Sequence, residues 1–552
     1  MGPPRENPYT VENFTAAYNE LYNPDITSLP VTNFYIKFTP NTHEQLELLS
    51  NSELNIVEFP LDREVTHLGD FYIEHGTPRD QIVPMYAVVT PGQVLPQVPY
   101  TNLANLYLGS SDEALVRQAL RRKGYNPDDI GYVIEPNVDG GGGGGGGGGG
   151  EFTTNSCGCQ VYSDSRKPGG CIKVKDVQKN TFQGVRQVRI VIKDSFFDFH
   201  TAYTDDAGCF KVNSRFFGNA FMWVHFNSDS GLKIRGVKTG WASIVQWIFP
   251  VKHHLGTIRG PYYNDIQVKY DSWSDEGSDA HVYWGAATVG NAVHEFHDFA
   301  VSDNINPSPS HLDIFVGKHL RYGYTLMTGQ YEIAAAIGLG ISGALFWTGP
   351  FGQIAANIAT ASILLYLPDV FVGINYHNSD ELKELTYHEI AHSSHYVNVN
   401  IGYWDALVWA EIVAGGHGSS SSPNAGLISL VESWAEFVGE TYAHRTYLNL
   451  NTSQFGSWLI QLERTRNESI HHIPIGFYND LVDNSPDTGL FVCDQDFLNC
   501  GSIDDQASGF SISQMYNLLT FNTSSPQEFK DKLIDGVQQS IKIQVNNLFN
   551  DY

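Results

Sequence analysis

Basic side chains are scarce in this chain: 33 lysines and arginines stand against 60 aspartates and glutamates over 552 residues, a formal charge of −27. That balance excludes nucleic acid and anionic membrane as partners, because both require clustered positive charge. Cysteine is also rare, at six, and no two cysteines form a C-x-x-C knuckle. Cys157, Cys159, Cys171 and Cys209 fall in one region, and Cys493 and Cys500 bracket a short acidic loop. Four neighbouring thiols would suffice for a zinc site, but an even count without knuckles favours disulfides and an oxidising compartment. An apolar export segment is missing as well. Residues 1–7 are polar, so the expected extracellular, periplasmic or cell-surface location requires a processed form. Charge is absent from residues 333–368, yet the run is broken at 347–352 and rich in Ala and Gly. Paired buried helices are expected there in place of a membrane span.

What the sequence does contain is His388-Glu389-Ile390-Ala391-His392. Side chains four apart on a helix share a face, so the two imidazoles can grip one metal ion while Glu389, one step round, handles a proton. Residues 378–381 offer capping side chains and first-turn carboxylates, and Leu382 and Leu385 continue the helical spacing. Downstream, Glu432, Glu436 and Glu440 recur every fourth residue among apolar neighbours, along one stripe of a second helix. Carboxylates on an apolar helix are costly unless paired or metal-bound. Two histidines and a glutamate suit Zn2+, with a fourth position left for water or substrate. The expected ligands are His388, His392 and Glu432, with Glu436 the alternative to Glu432. Zinc lowers the pKa of its water towards about 7, and Glu389 can take the proton as a carbonyl is attacked. The expected activity is hydrolysis of a peptide or protein substrate, most simply as an endopeptidase.

An HExxH helix followed by a glutamate on a second helix resembles the gluzincin group of zinc metallopeptidases, over residues 370–442. The resemblance implies Glu389 as general base, Glu432 as third ligand and Glu436 as the acid that orients a zinc histidine. The spacing departs from the commonest members: 39 residues separate His392 from Glu432, including a Gly- and Ser-rich loop at 414–419. That loop is expected over the cleft, carrying His417 towards the developing oxyanion; Tyr396, Tyr442 and His444 are further candidates. His395 shares the face of His388, but seven residues place it about 10 Å along the axis. It is expected beside the site, in packing or in support of a ligand. No glycine turn with a third histidine follows the motif, which disfavours a metzincin. In gluzincins a strand near this place lies along the cleft, so Phe371, Val372, Gly373 and Ile374 are expected to offer a free backbone edge to an extended substrate.

The fold expected is multidomain. Residues 1–139 read as a small α+β module, with strands at 34–38 and 54–59, a helix at 42–50, and a helix at 112–123 with a capping box at Ser110 and Glu113. Residues 140–151 form a Gly-rich linker, in which eleven consecutive glycines cannot pack a core. Val188, Ile190 and Ile192 then alternate with Gln187, Arg189 and Lys193, followed by a turn at 205–208 and a strand from Phe210. Residues 184–188 and 204–210 resemble the carboxypeptidase regulatory-like, transthyretin-like β-sandwich. The resemblance implies a supporting domain over 152–250, and the whole chain resembles secreted bacterial proteins that join such a domain to an HExxH domain. Residues 251–552 are expected to form a mainly α, zincin-like metallopeptidase domain. It opens on core positions Val282, Ala286, Val289, Val293 and Phe296 and closes with a helix at 526–534 capped by Ser525. His294 and His297, three residues apart, read as structural. The rival reading is a surface binding or adhesion protein whose zincin domain is catalytically silent and keeps zinc for stability.

Overall fold

The computed structural model describes residues 1–66, 72, 82–135, 152–238, 244–272, 277–327, 330, 367–448, 465–467, 472–483, 488–493 and 500–552. The glycine run, most of the apolar stretch at 333–368 and the loop between Cys493 and Cys500 lie outside them. Helices and several separate sheets are both present. Among the described residues no helix is long and apolar enough to cross a membrane.

The N-terminal part comprises α1 (Val11–Tyr22), β1 (Asn33–Phe38), α2 (His43–Ser50), β2 (Met85–Val89), β3 (Tyr100–Leu106) and α3 (Glu113–Arg122), with an antiparallel sheet in the order β2-β1-β3. Helix α1 was not expected from the sequence; Thr10 caps it by accepting from the Asn13 amide. The expected strand at 54–59 does not form. Only Val57 bridges to Tyr86, and Pro60, which has no N–H to give a ladder, follows. The expected capping box is also corrected. Asp112 is the cap of α3, while Ser110 accepts from the Asp112 amide and Glu113 pairs with Arg117.

After β4 (Tyr132–Ile134) come β5 (Phe152–Thr154), β6 (Gln160–Tyr162), β7 (Gly169–Asp176), β8 (Thr181–Gly184), β9 (Arg189–Lys193) and β10 (Phe199–Tyr203). They are followed by β11 (Cys209–Lys211), β12 (Arg215–Phe217), β13 (Asn219–His225), β14 (Lys233–Gly236), α4 (Ile244–Ile248), β15 (Lys252–Arg259) and β16 (Ile266–Tyr270). Two four-stranded sheets, β10-β9-β13-β15 and β11-β7-β16, with β8 beside β7, contribute to one core through Ile172, Val174, Ile190, Ile192, Met222 and Val268. The expected alternation in β9 is overridden: all five of its residues are buried. Val191 joins a second core with Phe14, Tyr35 and Leu120, so the N-terminal part covers the outer face of this sheet. The expected boundary at 250 also moves. β15 and β16 complete the two sheets out to Tyr270, whereas β14 leaves them to pair with the strand at 313–317. The described cysteines form disulfides Cys157–Cys171, Cys159–Cys209 and Cys493–Cys500, which are compatible with an extracellular location.

The remainder contains α5 (Asp279–Asp303), β17 (Asp313–Gly317), β18 (Gly323–Thr325), β19 (Val370–Gly373), α6 (Ser379–Asn398), α7 (Ile401–Ala414), α8 (Ala425–Tyr447) and α9 (Phe477–Val482). The hairpin β20 (Thr488–Cys493) and β21 (Cys500–Asp504) follows, then α10 (Ile512–Tyr516), α11 (Pro526–Leu533) and α12 (Gln539–Asp551). A mixed sheet, β14-β17-β19-β18, runs parallel until its antiparallel last strand β18. This corrects the substrate edge. β19 pairs with β17 on one side and β18 on the other, and Phe371, Val372 and Ile374 are buried, so no free edge exists at 371–374. Among the described residues, β18 is the last strand at that end of the sheet.

Candidate metal centre

Helix α6 carries the HExxH motif and is locked from behind. Lys383 is 2% exposed in its side chain and lies 2.8 Å from Glu295 on α5 and 3.8 Å from Asp176 on β7. Tyr387 donates to Glu295 at 2.5 Å. A buried lysine is tolerated only with such partners, so the network fixes the rotation of α6 about its axis. The helix start is tied too, though not by its own side chains as the sequence predicted. Gln178, between β7 and β8, accepts from the amides of Ser379 and Asp380 at 2.8 and 3.2 Å. Asn378 instead donates to Glu381.

The opposite face meets α8, and there the expected ligands converge. His388 Nε2 is 3.1 Å from His392 Nε2 and 3.3 Å from Glu432 Oε2, and His392 Nε2 is 3.4 Å from Glu432 Oε1. Donors about 2.0–2.1 Å from a tetrahedral zinc lie roughly 3.3 Å apart. The three residues fit one ion, and they are 9%, 5% and 3% exposed. Glu432 Oε2 has no hydrogen bond of acceptable geometry, although it lies near two imidazole nitrogens. Donor atoms of three residues within 3.4 Å of one another on two facing helices are spaced for a shared cation. Glu436 accepts at 3.1 Å from His388 Nδ1, the contact that turns Nε2 towards the centre. The helical stripe thus divides its work, with Glu432 facing the centre and Glu436 behind it.

Glu389 lies in the same cleft, 4% exposed, and accepts from the Thr325 hydroxyl at 2.7 Å. The cleft is lined by β18 residues Gly323, Tyr324 and Thr325, the motif residues, Trp404, Leu407 and Glu411 of α7, Gly416, His417 and Glu432. It encloses about 40 Å³, room for an ion and a water or two. His417 Nε2 stands 3.2 Å from Glu432 Oε2, and its side chain is 35% exposed. The loop that brings it there turns on Gly415 and Gly416, at φ 76° and 118°, values that side chains strain to adopt.

Electrostatics follow the same geometry. Burial opposes charge on Glu432, but His392, His417 and His388 outweigh it and hold the carboxyl well below its usual range. Burial likewise opposes charge on His388, and the nearby carboxylates of Glu432 and Glu436 overcome it, raising the imidazole. Glu389 goes up because burial exceeds the pull of His388, His392 and Thr325. Glu411 goes up strongly, through burial and the charge of Glu432.

Of the other expected residues, His395 is fully buried between the rings of Tyr403 and Trp404, and Trp404 in turn meets His392. It packs the site from outside. Tyr396 packs on Trp404 and Tyr442 on Phe296 and Phe299; neither they nor His444 lines the cleft. Glu411, Trp404 and the β18 residues were missed. A lone carboxylate in the apolar run at 407–413 was a usable signal for Glu411, whereas three-residue β18 has no pattern to read. Comparison of the chain with protein-family models, curated proteins and solved structures finds no match.

Proposed function

We propose that the chain is a zinc-dependent hydrolase of peptide bonds, similar in its site to the gluzincins. The observation that carries the reading is the convergence of His388, His392 and Glu432 at ion-binding separations with Glu389 in the same small cleft. Bound by these three residues, zinc would supply Lewis acidity to a carbonyl and acidity to water.

The chain's own residues do the rest. Glu389, raised by burial, accepts the proton of the attacking water and delivers it to the leaving amine. Thr325 donates to Glu389 Oε2 and holds that carboxylate in one orientation. Glu436 fixes the tautomer of His388 by accepting from Nδ1. His417, on its glycine turn, offers an N–H to the oxyanion. β18, the last strand at that end of the sheet among the described residues, borders the cleft through Gly323, Tyr324 and Thr325, where an extended peptide would lie.

Glu389→Gln tests the mechanism. It is expected to keep zinc and lose at least about 10²-fold in turnover on peptides that the wild type cleaves. Wild-type rates in the variant would discard the reading. A silent binding protein predicts zinc without turnover in the wild type, so the same peptide library separates the two.

A further inference from the structure

A second cluster of metal-ligating side chains lies outside the HExxH cleft, where the N-terminal part meets the sheets behind it. Glu135 directly follows β4, Asp198 precedes β10 and His200 lies within it; their three ligand atoms sit within 4.8 Å of one another. His200 Nε2 is 3.3 Å from Glu135 Oε1 and 3.3 Å from Asp198 Oδ1. Both separations match the roughly 3.3 Å edge of a tetrahedral zinc polyhedron.

Ser214, just before β12, decides which ring nitrogen faces the carboxylates. Its hydroxyl donates to Glu135 Oε2 at 3.2 Å and lies 3.2 Å from His200 Nδ1. A hydroxyl has one proton; with that proton on Glu135, Ser214 accepts from Nδ1–H. In the neutral imidazole, Nε2 then presents its lone pair. That nitrogen is buried and makes no hydrogen bond of acceptable geometry with either carboxylate, close as both are. Burial opposes charge on His200, but Asp198 and Glu135 outweigh it and raise the imidazole, so the place between the two carboxylate oxygens calls for a positive charge, a proton on Nε2 or a metal ion. A fixed partner on one ring nitrogen with the other aimed at anionic oxygens is the arrangement that prepares histidine for a metal.

We propose that Glu135, Asp198 and His200 bind a divalent metal ion, zinc by their donor set, which clips the end of the N-terminal part to β10. Among the described residues, the three-residue strand β4 pairs in a sheet with β12 alone, itself three residues long. An ion held by Glu135 and by β10 adds a further anchor five residues before the glycine run begins at Gly140. The proposal does not rest on the HExxH reading.

The test is zinc stoichiometry. Chelator-stripped full-length protein is reloaded with excess Zn2+, desalted and assayed for metal per chain. Wild type is expected to hold one equivalent more than His200→Ala, while His388→Ala/His392→Ala keeps that equivalent. Glu135→Gln, whose side chain is 36% exposed and tolerant of change, is expected to bind this zinc at least tenfold more weakly. It decides the matter if His200→Ala does not fold. Equal zinc in wild type, His200→Ala and Glu135→Gln would overturn the proposal and leave an imidazolium–carboxylate ion pair.

Discussion

Gly323 gives the sharpest test of where Glu389 sits. This residue of β18 is not in left-handed backbone, so glycine serves there for space and not for conformation. A Cβ added to it would lie 2.3 Å from Glu389 Oε1, 2.5 Å from Cγ and 2.6 Å from Cδ. Ordinary contact needs roughly 3.5 Å, so Gly323→Ala must displace the carboxylate by about 1 Å. Glu389 is buried and tethered to Thr325, a bond that the displacement must strain or break. Overpacking of this kind costs about 1–3 kcal/mol of stability. Misplacement of a reacting group by about 1 Å costs about 10²-fold in rate. The zinc ligands are not among the nearest atoms, so metal content should stay at the wild-type level. Gly439→Ala is the matched control: its Cβ would lie 3.1 Å from His388 Cβ, a milder contact that presses on a ligand and not on the base. Steady-state kinetics on a cleaved peptide, with zinc per chain measured alongside, separates the two. A Gly323→Ala enzyme with full zinc and unchanged kcat would refute Glu389 as the base in this position.

Two further outcomes follow from the surroundings of the site. Glu436→Gln removes the charged acceptor of His388 Nδ1 and should weaken zinc binding about 10–100-fold, read by competition with a chelating dye. His395 is held down to about 3 by burial and by the charge of His392. The unfolded chain therefore takes up a proton that the folded chain refuses, and the stability present above about pH 6.5 falls as pH drops towards 3. The loss is at most about 1.4 kcal/mol per pH unit. His395→Phe, which removes two buried nitrogens without hydrogen bonds, should flatten that part of the denaturation-versus-pH curve.

The site was legible because its chemistry is local. An i, i+4 histidine pair and a glutamate stripe each follow from helical geometry alone, and α6 and α8 then needed only to face each other. The strand beside the site was found, but its edge was misjudged as free for the opposite reason. Which edge of a sheet is free depends on the pairing of distant segments, and the apolar residues at 370–374 look alike whether the strand is central or terminal. The same limit applies to β9, where Arg189 and Lys193 read as a wet face until the N-terminal part covers them. Arg189 donates to Asn55 at 2.7 Å and Lys193 to backbone carbonyls, so long-range partners satisfy what the local pattern marked as solvent. Likewise the start of α6 is capped by Gln178, 201 residues away from Ser379 in sequence, where no capping pattern could show it.

The central claim is that one zinc ion is shared by two helices. Anomalous diffraction at the zinc edge from crystals of the zinc-loaded protein tests it directly. A peak is expected about 2.0–2.2 Å from His388 Nε2, His392 Nε2 and a Glu432 oxygen. No peak within bonding distance of that trio, in crystals containing zinc, would contradict it.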